Sequence, residues 1–125
     1  MLSVKDVSKR LHLTAYTIRY YDDQGLFPNT SRDVNNQRQF AEDDLVWIHT
    51  IDCFRQAGMT VKELRHYTDL VQSGPSTQAE RYQMILKLQK KAVSEMAAIQ
   101  KRMIVINRKL AFYGQALTSD EKNQS

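Results

Sequence analysis

The sequence predicts a mostly helical fold with one small β-hairpin, in which a head of short helices precedes a single long helix. Three observations support this prediction. Two short amphipathic segments near the N-terminus are separated by a tight turn, and a polar stretch rich in turn-forming residues follows them. The C-terminal part carries a regular apolar repeat in which only Gln89 is polar. A chain of 125 residues has room for one small domain with a helical extension.

The first two helices are defined by their caps. Ser3 and Asp6 form a capping-box pattern, and apolar residues at helical spacing continue the first helix to Leu11. Thr14 is suited to cap a second helix that runs to about Gln24, where a glycine can end it. Two short helices joined in this way predict a helix-turn-helix unit.

A polar stretch over residues 29–39 predicts a two-stranded hairpin, or wing. Its turn-forming residues are Asp33, Asn35 and Asn36. Arg32 and Arg38 lie on either side of this turn. A hairpin with an arginine on each arm, placed beside a helix-turn-helix, can straddle a nucleic-acid backbone.

Two further helices complete the predicted head. The third runs from about Glu42 to Ala57, with a buried stripe formed by Trp47, Ile51 and Phe54. Thr60 begins a second capping box, which predicts a fourth helix from Val61 to about Gln72. The N-terminus of this helix, with Lys62 beside it, can hold a phosphate or serve only as a cap.

The long helix follows the clearest break in the chain, at residues 73–76. The predicted domains are a head over 1–73, a linker over 74–76, a dimerisation helix over 77–118 and a polar tail over 119–125. Apolar residues recur at alternating spacings of three and four, which is typical of a coiled-coil seam. The seam residues predicted to pair two copies of the chain are Met96, Ile99, Met103, Ile106, Leu110, Tyr113 and Leu117. The alternative, a helix folded back on its own head, hides only part of this seam.

The composition restricts the class of protein. With 42% hydrophobic and 26% charged residues the chain is typical of a folded soluble protein, and no apolar run is long enough to span a bilayer, so a cytoplasmic location is expected. The net charge of +4 favours a polyanionic partner. Residues 1–75 carry nine Lys/Arg against ten Asp/Glu, so a DNA-binding face in the head must be local. Cys53 is the single cysteine, which excludes a multi-cysteine metal site within one chain, and no metal or cofactor is expected.

The second helix carries the candidate DNA-reading residues. Tyr16, Arg19 and Tyr20 fall at i, i+3 and i+4 on one face, where an arginine can contact base edges and tyrosine hydroxyls can hold phosphates. Tyr21 lies on the other face and is predicted to be a core residue. Arg19 as a solvated surface charge is the alternative. The full set of predicted DNA contacts is Thr14, Tyr16, Thr17, Arg19, Tyr20, Arg32, Arg38, Thr60 and Lys62.

These residues resemble the signature of the MerR family of transcriptional regulators. Residues 17–28 read TIRYYDDQGLFP, and the family pattern is approximately T-x-R-Y-Y-(D/E)-x-x-G-L-x-P. In the wing, Arg32, Arg38 and Phe40 fit the family pattern, whereas Asn36 replaces a glycine and Gln37 a tyrosine. Residues 56–64, QAGMTVKEL, resemble the second helix-turn-helix of the family. The resemblance covers nearly the whole chain.

The resemblance implies a winged helix-turn-helix head and an antiparallel coiled-coil dimer. It also implies binding to a pseudo-palindromic promoter element of double-stranded DNA, with RNA polymerase as a partner at the promoter and no enzymatic activity. Members of the family commonly bend and untwist an overlong promoter spacer, which redistributes deformation energy in the duplex.

Cys53 resembles the lone cysteine of a short subgroup that responds to reactive aldehydes and related electrophiles. His49 lies one helical turn earlier, where its protonated form can favour the thiolate. The alternative is a buried cysteine that packs as a small hydrophobe. Three further alternatives remain. The protein is a regulator that responds to a non-covalent ligand bound between head and coil, a coiled-coil adaptor that binds other proteins or, least favoured, a cysteine-dependent enzyme.

Overall fold

The computed structural model describes residues 1–124 of the chain. In this range the helices are α1 (Val4–Leu11), α2 (Ala15–Asp23), α3 (Asp44–Gln56), α4 (Val61–Gln72) and α5 (Gln78–Gln124), with a short 3-10 helix at Pro75–Thr77. The strands β1 (Ser31–Arg32) and β2 (Arg38–Gln39) lie between α2 and α3. The predicted mostly helical fold with a small hairpin and a long final helix is therefore confirmed. The chain forms two compact units, Met1–Leu88 and the part from Gln89 onward.

The predicted helix caps are present. The Ser3 hydroxyl accepts the Asp6 N–H at 3.1 Å, while the Asp6 carboxylate accepts the Ser3 N–H at 2.9 Å. The same reciprocal bonds begin α4 at Thr60, and the Thr14 hydroxyl caps α2. These bonds satisfy amide groups that have no partner inside a helix. The sequence thus sets where three of the helices begin.

The third helix begins two residues later than predicted, at Asp44 instead of Glu42. The carboxylate of Asp44 accepts the Ala41 N–H at 2.8 Å, whereas Asp43 makes no side-chain cap bond. The loop before the helix therefore closes on its first helical residue. The Asp44 N–H donates to the Ala41 carbonyl at 3.0 Å and the Leu45 N–H donates to the Glu42 carbonyl at 3.1 Å, so i→i+3 bonds make residues 42–43 a turn before the helix.

The wing is a tight antiparallel hairpin in which Ser31 pairs with Gln39 and Arg32 with Arg38. Asp33 Oδ1 accepts the backbone N–H groups of Asn35 and Gln37, each at 2.9 Å. Asn36 adopts a left-handed conformation with φ of 61°. Asparagine tolerates this conformation better than most residues, so it can replace the glycine of the family pattern.

Phe40 joins the wing to the N-terminus and to the core. Its backbone exchanges two hydrogen bonds with Leu2, at 2.7 and 2.8 Å, and its side chain is fully buried. The Phe40 ring packs edge-on against Phe27, which in turn packs against Tyr21. The core of the first unit draws on α1 to α4 and on the wing, and its buried residues are Val7, Ile18, Tyr21, Leu26, Phe27, Phe40, Ile48, Ile51, Met59 and Leu64.

The predicted buried stripe of α3 needs one correction. Ile51 is fully buried, but its fully buried neighbour on the helix is Ile48, whereas Trp47 and Phe54 are partly exposed. Trp47 stacks on Tyr67 of α4 with ring centroids 5.9 Å apart, and its indole N–H donates to the Leu26 carbonyl at 2.7 Å. The large ring thus stays at the margin of the core, where its polar edge finds a partner.

The first turns of α5 belong to the first unit, where Met84, Ile85 and Leu88 pack against the core. Beyond Leu88 the helix continues without a break to Gln124, past the predicted end at residue 118. Residues 119–124 include no proline or glycine, so nothing in their backbone stops the helix. The last residue of the predicted polar tail lies outside the described residues.

Candidate nucleic-acid interface

The second helix presents one aromatic and basic face to solvent and buries the other. Tyr16 is 76% exposed, Tyr20 is 39% exposed and Arg19 is also exposed. On the opposite face Ile18 is fully buried and Tyr21 is 3% exposed. The division matches the prediction from spacing, because positions i, i+3 and i+4 share one side of a helix. Burial of the opposite face holds the solvent face in a defined orientation.

Two threonines shape the N-terminal end of α2. The Thr14 hydroxyl accepts the Thr17 N–H at 3.1 Å and donates to the Thr17 hydroxyl at 2.8 Å. The remaining free N–H groups of this helix end and its dipole favour an anion such as a phosphate. Both predicted threonines therefore lie beside a position suited to a DNA backbone.

A shallow concave surface brings basic residues from three elements together. Arg19 of α2 and Arg32 of the wing line it with Lys5 of α1. Arg32 also donates from Nη1 to the Asn36 carbonyl at 3.0 Å, which holds its stem along the wing. Sequence reasoning did not select Lys5, because nothing in its local pattern indicates that α1 lies beside the wing.

Arg38 also lines this concave surface, but its guanidinium group is paired with two carboxylates. Its Nε lies 2.7 Å from Asp22 Oδ2 and its Nη2 lies 2.5 Å from Asp23 Oδ1. Only 12% of its side chain is exposed. This double ion pair ties β2 to the C-terminal end of α2. The prediction that Arg38 contacts DNA stays a prediction, and the contacts described for it are with carboxylates.

The N-terminus of α4 lies in the same unit. Thr60 caps it, Lys62 is exposed, and Arg65 donates from Nη2 to the Gln24 side chain at 2.8 Å. The last contact joins α4 to the end of α2. The role of Arg65 in joining α4 to α2 could not be predicted from the sequence, because its contact with Gln24 joins residues that are far apart in the chain.

Cys53 lies on the surface of α3, so the alternative of a buried cysteine is wrong. Its Sγ lies 3.5 Å from His49 Nε2. The neighbouring residue, Asp52, accepts a hydrogen bond from the Tyr21 hydroxyl at 2.9 Å. Burial raises the pKa of Tyr21 to about 12, and the bond to Asp52 adds to the shift. One turn of α3 therefore carries both the exposed thiol and a direct contact to α2.

Across residues 1–124 no cluster of three or more His, Cys, Asp or Glu side chains has the arrangement of a metal site. None of the helices in this part of the chain is long and apolar enough to span a membrane.

Comparison with known proteins agrees with this geometry. A family model described as "MerR HTH family regulatory protein" matches residues 2–70. An uncharacterized HTH-type transcriptional regulator from Haemophilus influenzae is 30% identical over 109 residues, which cover 87% of this chain and 81% of the relative. The HTH-type transcriptional regulator AdhR from Bacillus subtilis is 38% identical over 76 residues, which cover 61% of this chain and 54% of AdhR.

Solved structures of MerR family regulators have a fold similar to that of this chain. HiNmlR, described as a MerR family regulator lacking the sensor domain and bound to promoter DNA, superposes with a TM-score of 0.82 at 29% identity and covers 91% of this chain and 90% of its own. A MerR family regulator from Bacillus thuringiensis superposes with a TM-score of 0.79 at 30% identity, covering 88% and 96%. The chain belongs to the MerR family of DNA-binding transcriptional regulators.

Proposed function

We propose that the protein binds a pseudo-palindromic promoter element as a homodimer. The proposal rests on the solvent face of α2, where Tyr16, Arg19 and Tyr20 are exposed. Arg19 also lines one concave surface with Lys5 and Arg32. The DNA-bound state of HiNmlR supports the same mode of action for a chain of this fold. A protein with this function acts in the cytoplasm, where the DNA is, and needs no enzymatic activity.

Each exposed residue has a distinct role in the proposed complex. Arg19 contacts base edges in the major groove, because a guanidinium group can donate two bonds to guanine. Tyr16, Tyr20, Thr14 and Thr17 hold the phosphates around it.

The wing and α4 add contacts along the backbone. Arg32 and Lys5 contact the phosphates beside the wing, and Thr60 and Lys62 at the N-terminus of α4 contact a second stretch of backbone. Arg38 adds to DNA binding chiefly by holding the wing against α2 through Asp22 and Asp23.

Dimerisation is supported by the exposed seam of α5. In the single chain Ile99 is 52% exposed and Ile106 is 50% exposed. The other seam residues are exposed to a similar extent, namely Met96, Met103, Leu110, Tyr113 and Leu117. A long apolar stripe of this kind gains free energy when a second helix covers it. The family resemblance favours an antiparallel pair, which places two heads on two half-sites. Contact with RNA polymerase at the promoter rests on the same resemblance.

The proposal is tested by selecting bound duplexes from a random DNA pool and measuring the stoichiometry of the selected complex. We expect an inverted repeat bound by two protein chains. Selection of a single half-site by one chain, or recovery of no preferred sequence, would contradict the proposal. A protein that selects no DNA in this assay would favour the adaptor alternative.

We further propose that Cys53 senses reactive aldehydes. In the balanced step the sulfur attacks the carbonyl carbon, a C–S bond forms, and the thiol proton ends on the former carbonyl oxygen to give a hemithioacetal. The exposed Sγ at 3.5 Å from His49 Nε2 supports this step, because His49 can accept and return the proton.

The contact of the adjacent Asp52 with Tyr21 provides a route from the sensor to α2. Intact mass and footprinting after aldehyde treatment, with Cys53→Ser as the comparison, test the sensor. An equal response in Cys53→Ser would leave DNA binding in place and favour a non-covalent ligand.

A further inference from the structure

The middle of α5 carries exposed apolar side chains outside the predicted seam. Val105 is 58% exposed and Phe112 is 60% exposed. They lie seven residues apart and in line with Ala98, so the three residues share one face of the helix, here called the outer stripe. Each of them directly precedes a seam residue, which places the outer stripe about 100° away from those residues around the helix axis. The seam and the outer stripe therefore face different neighbours.

The outer stripe is flanked by positive charge on both sides. Four basic residues lie three or four positions from its members, with Lys101 and Arg108 along one edge and Arg102 and Lys109 along the other. The Lys109 Nζ lies 5.8 Å from the centroid of the Phe112 ring. Residues 96–119 contain these four basic residues and no Asp or Glu, so this part of the helix has a net charge of +4.

The outer stripe is continuous with the seam. Val105 lies in one shallow apolar depression with the seam residues Ile106, Leu110 and Tyr113. The Phe112 ring packs edge-on against the Tyr113 ring, with centroids 5.1 Å apart. Phe112 is therefore held in place before any partner binds, which lowers the entropic cost of ordering it in a complex.

We propose that the outer stripe docks an acidic amphipathic helix of another protein. Apolar residues of that helix pack on Val105 and Phe112, while carboxylates on both sides of them pair with the flanking cations. The apolar residues favour a protein over a nucleic acid, because a phosphate backbone cannot bury valine and phenylalanine against apolar surface. The charge opposes pairing with the same stripe of a second copy, because two surfaces of like charge repel each other.

The test is a calorimetric titration of the full chain with a synthetic helical peptide of about 21 residues, which is longer than the roughly 21 Å between Ala98 and Phe112. The peptide has leucine at its apolar positions and glutamate beside them, and the matched peptide has glutamine in place of every glutamate. We expect saturable binding of the glutamate peptide, at least tenfold weaker binding of the glutamine peptide, and a smaller difference at high salt. No saturable binding, or equal affinity for both peptides, would overturn the proposal.

Alanine variants test the apolar contacts without loss of helix propensity. Phe112→Ala is expected to weaken binding of the glutamate peptide at least tenfold and Val105→Ala about fivefold. Val93→Ala is the matched control, because Val93 is 53% exposed on the same helix and lies outside both the seam and the outer stripe. Wild-type affinity in both Phe112→Ala and Val105→Ala would overturn the assignment.

The flanking cations are tested in the same titration. The Lys101→Gln, Arg108→Gln double variant is expected to bind the glutamate peptide at least tenfold more weakly and the glutamine peptide about as well as the wild type does. Lys9→Gln, at an exposed lysine of α1, serves as the control. An unchanged preference for the glutamate peptide in the double variant would show that these cations do not select the partner.

Other occupants of the outer stripe give different results. Duplex DNA of unrelated sequence and vesicles of anionic phospholipid serve as competitors, and full displacement of the glutamate peptide by either would assign the stripe to that polyanion. In sedimentation, Val105→Glu is expected to remain a dimer, and the peptide is expected to leave the dimer intact. Monomers in either experiment would place the stripe inside the dimer and overturn the proposal. Peptide binding is measured without operator DNA, so its failure is distinct from a failure of the proposed promoter binding.

Discussion

At the scale of single residues, Arg19 combines exposure with a fixed position. Its helix neighbour Ile18 is fully buried, so the backbone that carries the guanidinium is held by the core. We expect Arg19→Ala to weaken operator binding by about 1–3 kcal/mol and to relax the preference at one base position of each half-site. Binding to the selected operator and to single-base variants of it measures both effects. Unchanged affinity and preference would refute the recognition role of α2.

Lys62 is a matched comparison, because it is exposed at a helix N-terminus and is proposed to contact only phosphate. Lys62→Ala is expected to weaken binding to all sequences about equally and to reduce the salt slope of log K by about 1. Affinities at several salt concentrations test this expectation. A loss of base preference in Lys62→Ala would contradict the assignment.

Tyr21 links pH to stability. The pKa of its folded-state hydroxyl is raised to about 12 from an ordinary value of 10.0, chiefly by burial. Because the folded pKa is higher, the stabilisation is present below pH about 10 and is lost as the pH rises towards about 12.

We expect Tyr21→Phe to destabilise the fold by about 1 kcal/mol at neutral pH. We also expect this variant to lose less stability than the wild type as the pH rises from about 10 to about 12, because it has no hydroxyl to ionise. Denaturant unfolding across this pH range, with Tyr16→Phe on the exposed face as the control, measures the difference. Identical alkaline profiles for wild type and Tyr21→Phe would show that the hydroxyl is not responsible.

At the scale of elements, the wing and α2 act as one piece because Arg38 pairs with Asp22 and Asp23. If Arg38 acts by holding the wing, removal of both carboxylates should weaken DNA binding although it also removes negative charge near the DNA. We expect the Asp22→Asn, Asp23→Asn double variant to bind the operator several-fold more weakly, as measured by fluorescence anisotropy. Tighter binding in this variant would instead indicate that Arg38 is a direct phosphate contact.

The same elements show what sequence reasoning can reach. The caps at Ser3, Thr14 and Thr60 were predictable because each depends on residues three positions apart. The burial of Tyr21 was predictable from helical spacing. The ion pairs of Arg38, the place of Lys5 beside Arg19 and the contact of Arg65 with Gln24 were not, because they join residues that are distant in sequence.

At the scale of the whole molecule, the proposed dimer depends on the exposed apolar stripe of α5. We expect Ile99→Glu and Ile106→Glu each to shift the protein from dimer to monomer in sedimentation, because a charge buried in a coiled-coil seam costs several kcal/mol without a partner. A monomer has one recognition helix, so binding to the inverted repeat should also fall to the level of a single half-site.

Ile104→Glu is the matched control for this experiment. Ile104 is 53% exposed against 52% for Ile99, lies on the same helix and undergoes the same chemical change, but it falls outside the alternating repeat of the seam. A general loss of helix stability would affect all three variants alike, whereas a specific seam predicts that Ile104→Glu remains dimeric and binds the operator. Dimers in all three variants would place the interface elsewhere, and monomers in all three would refute a seam specific to the predicted residues.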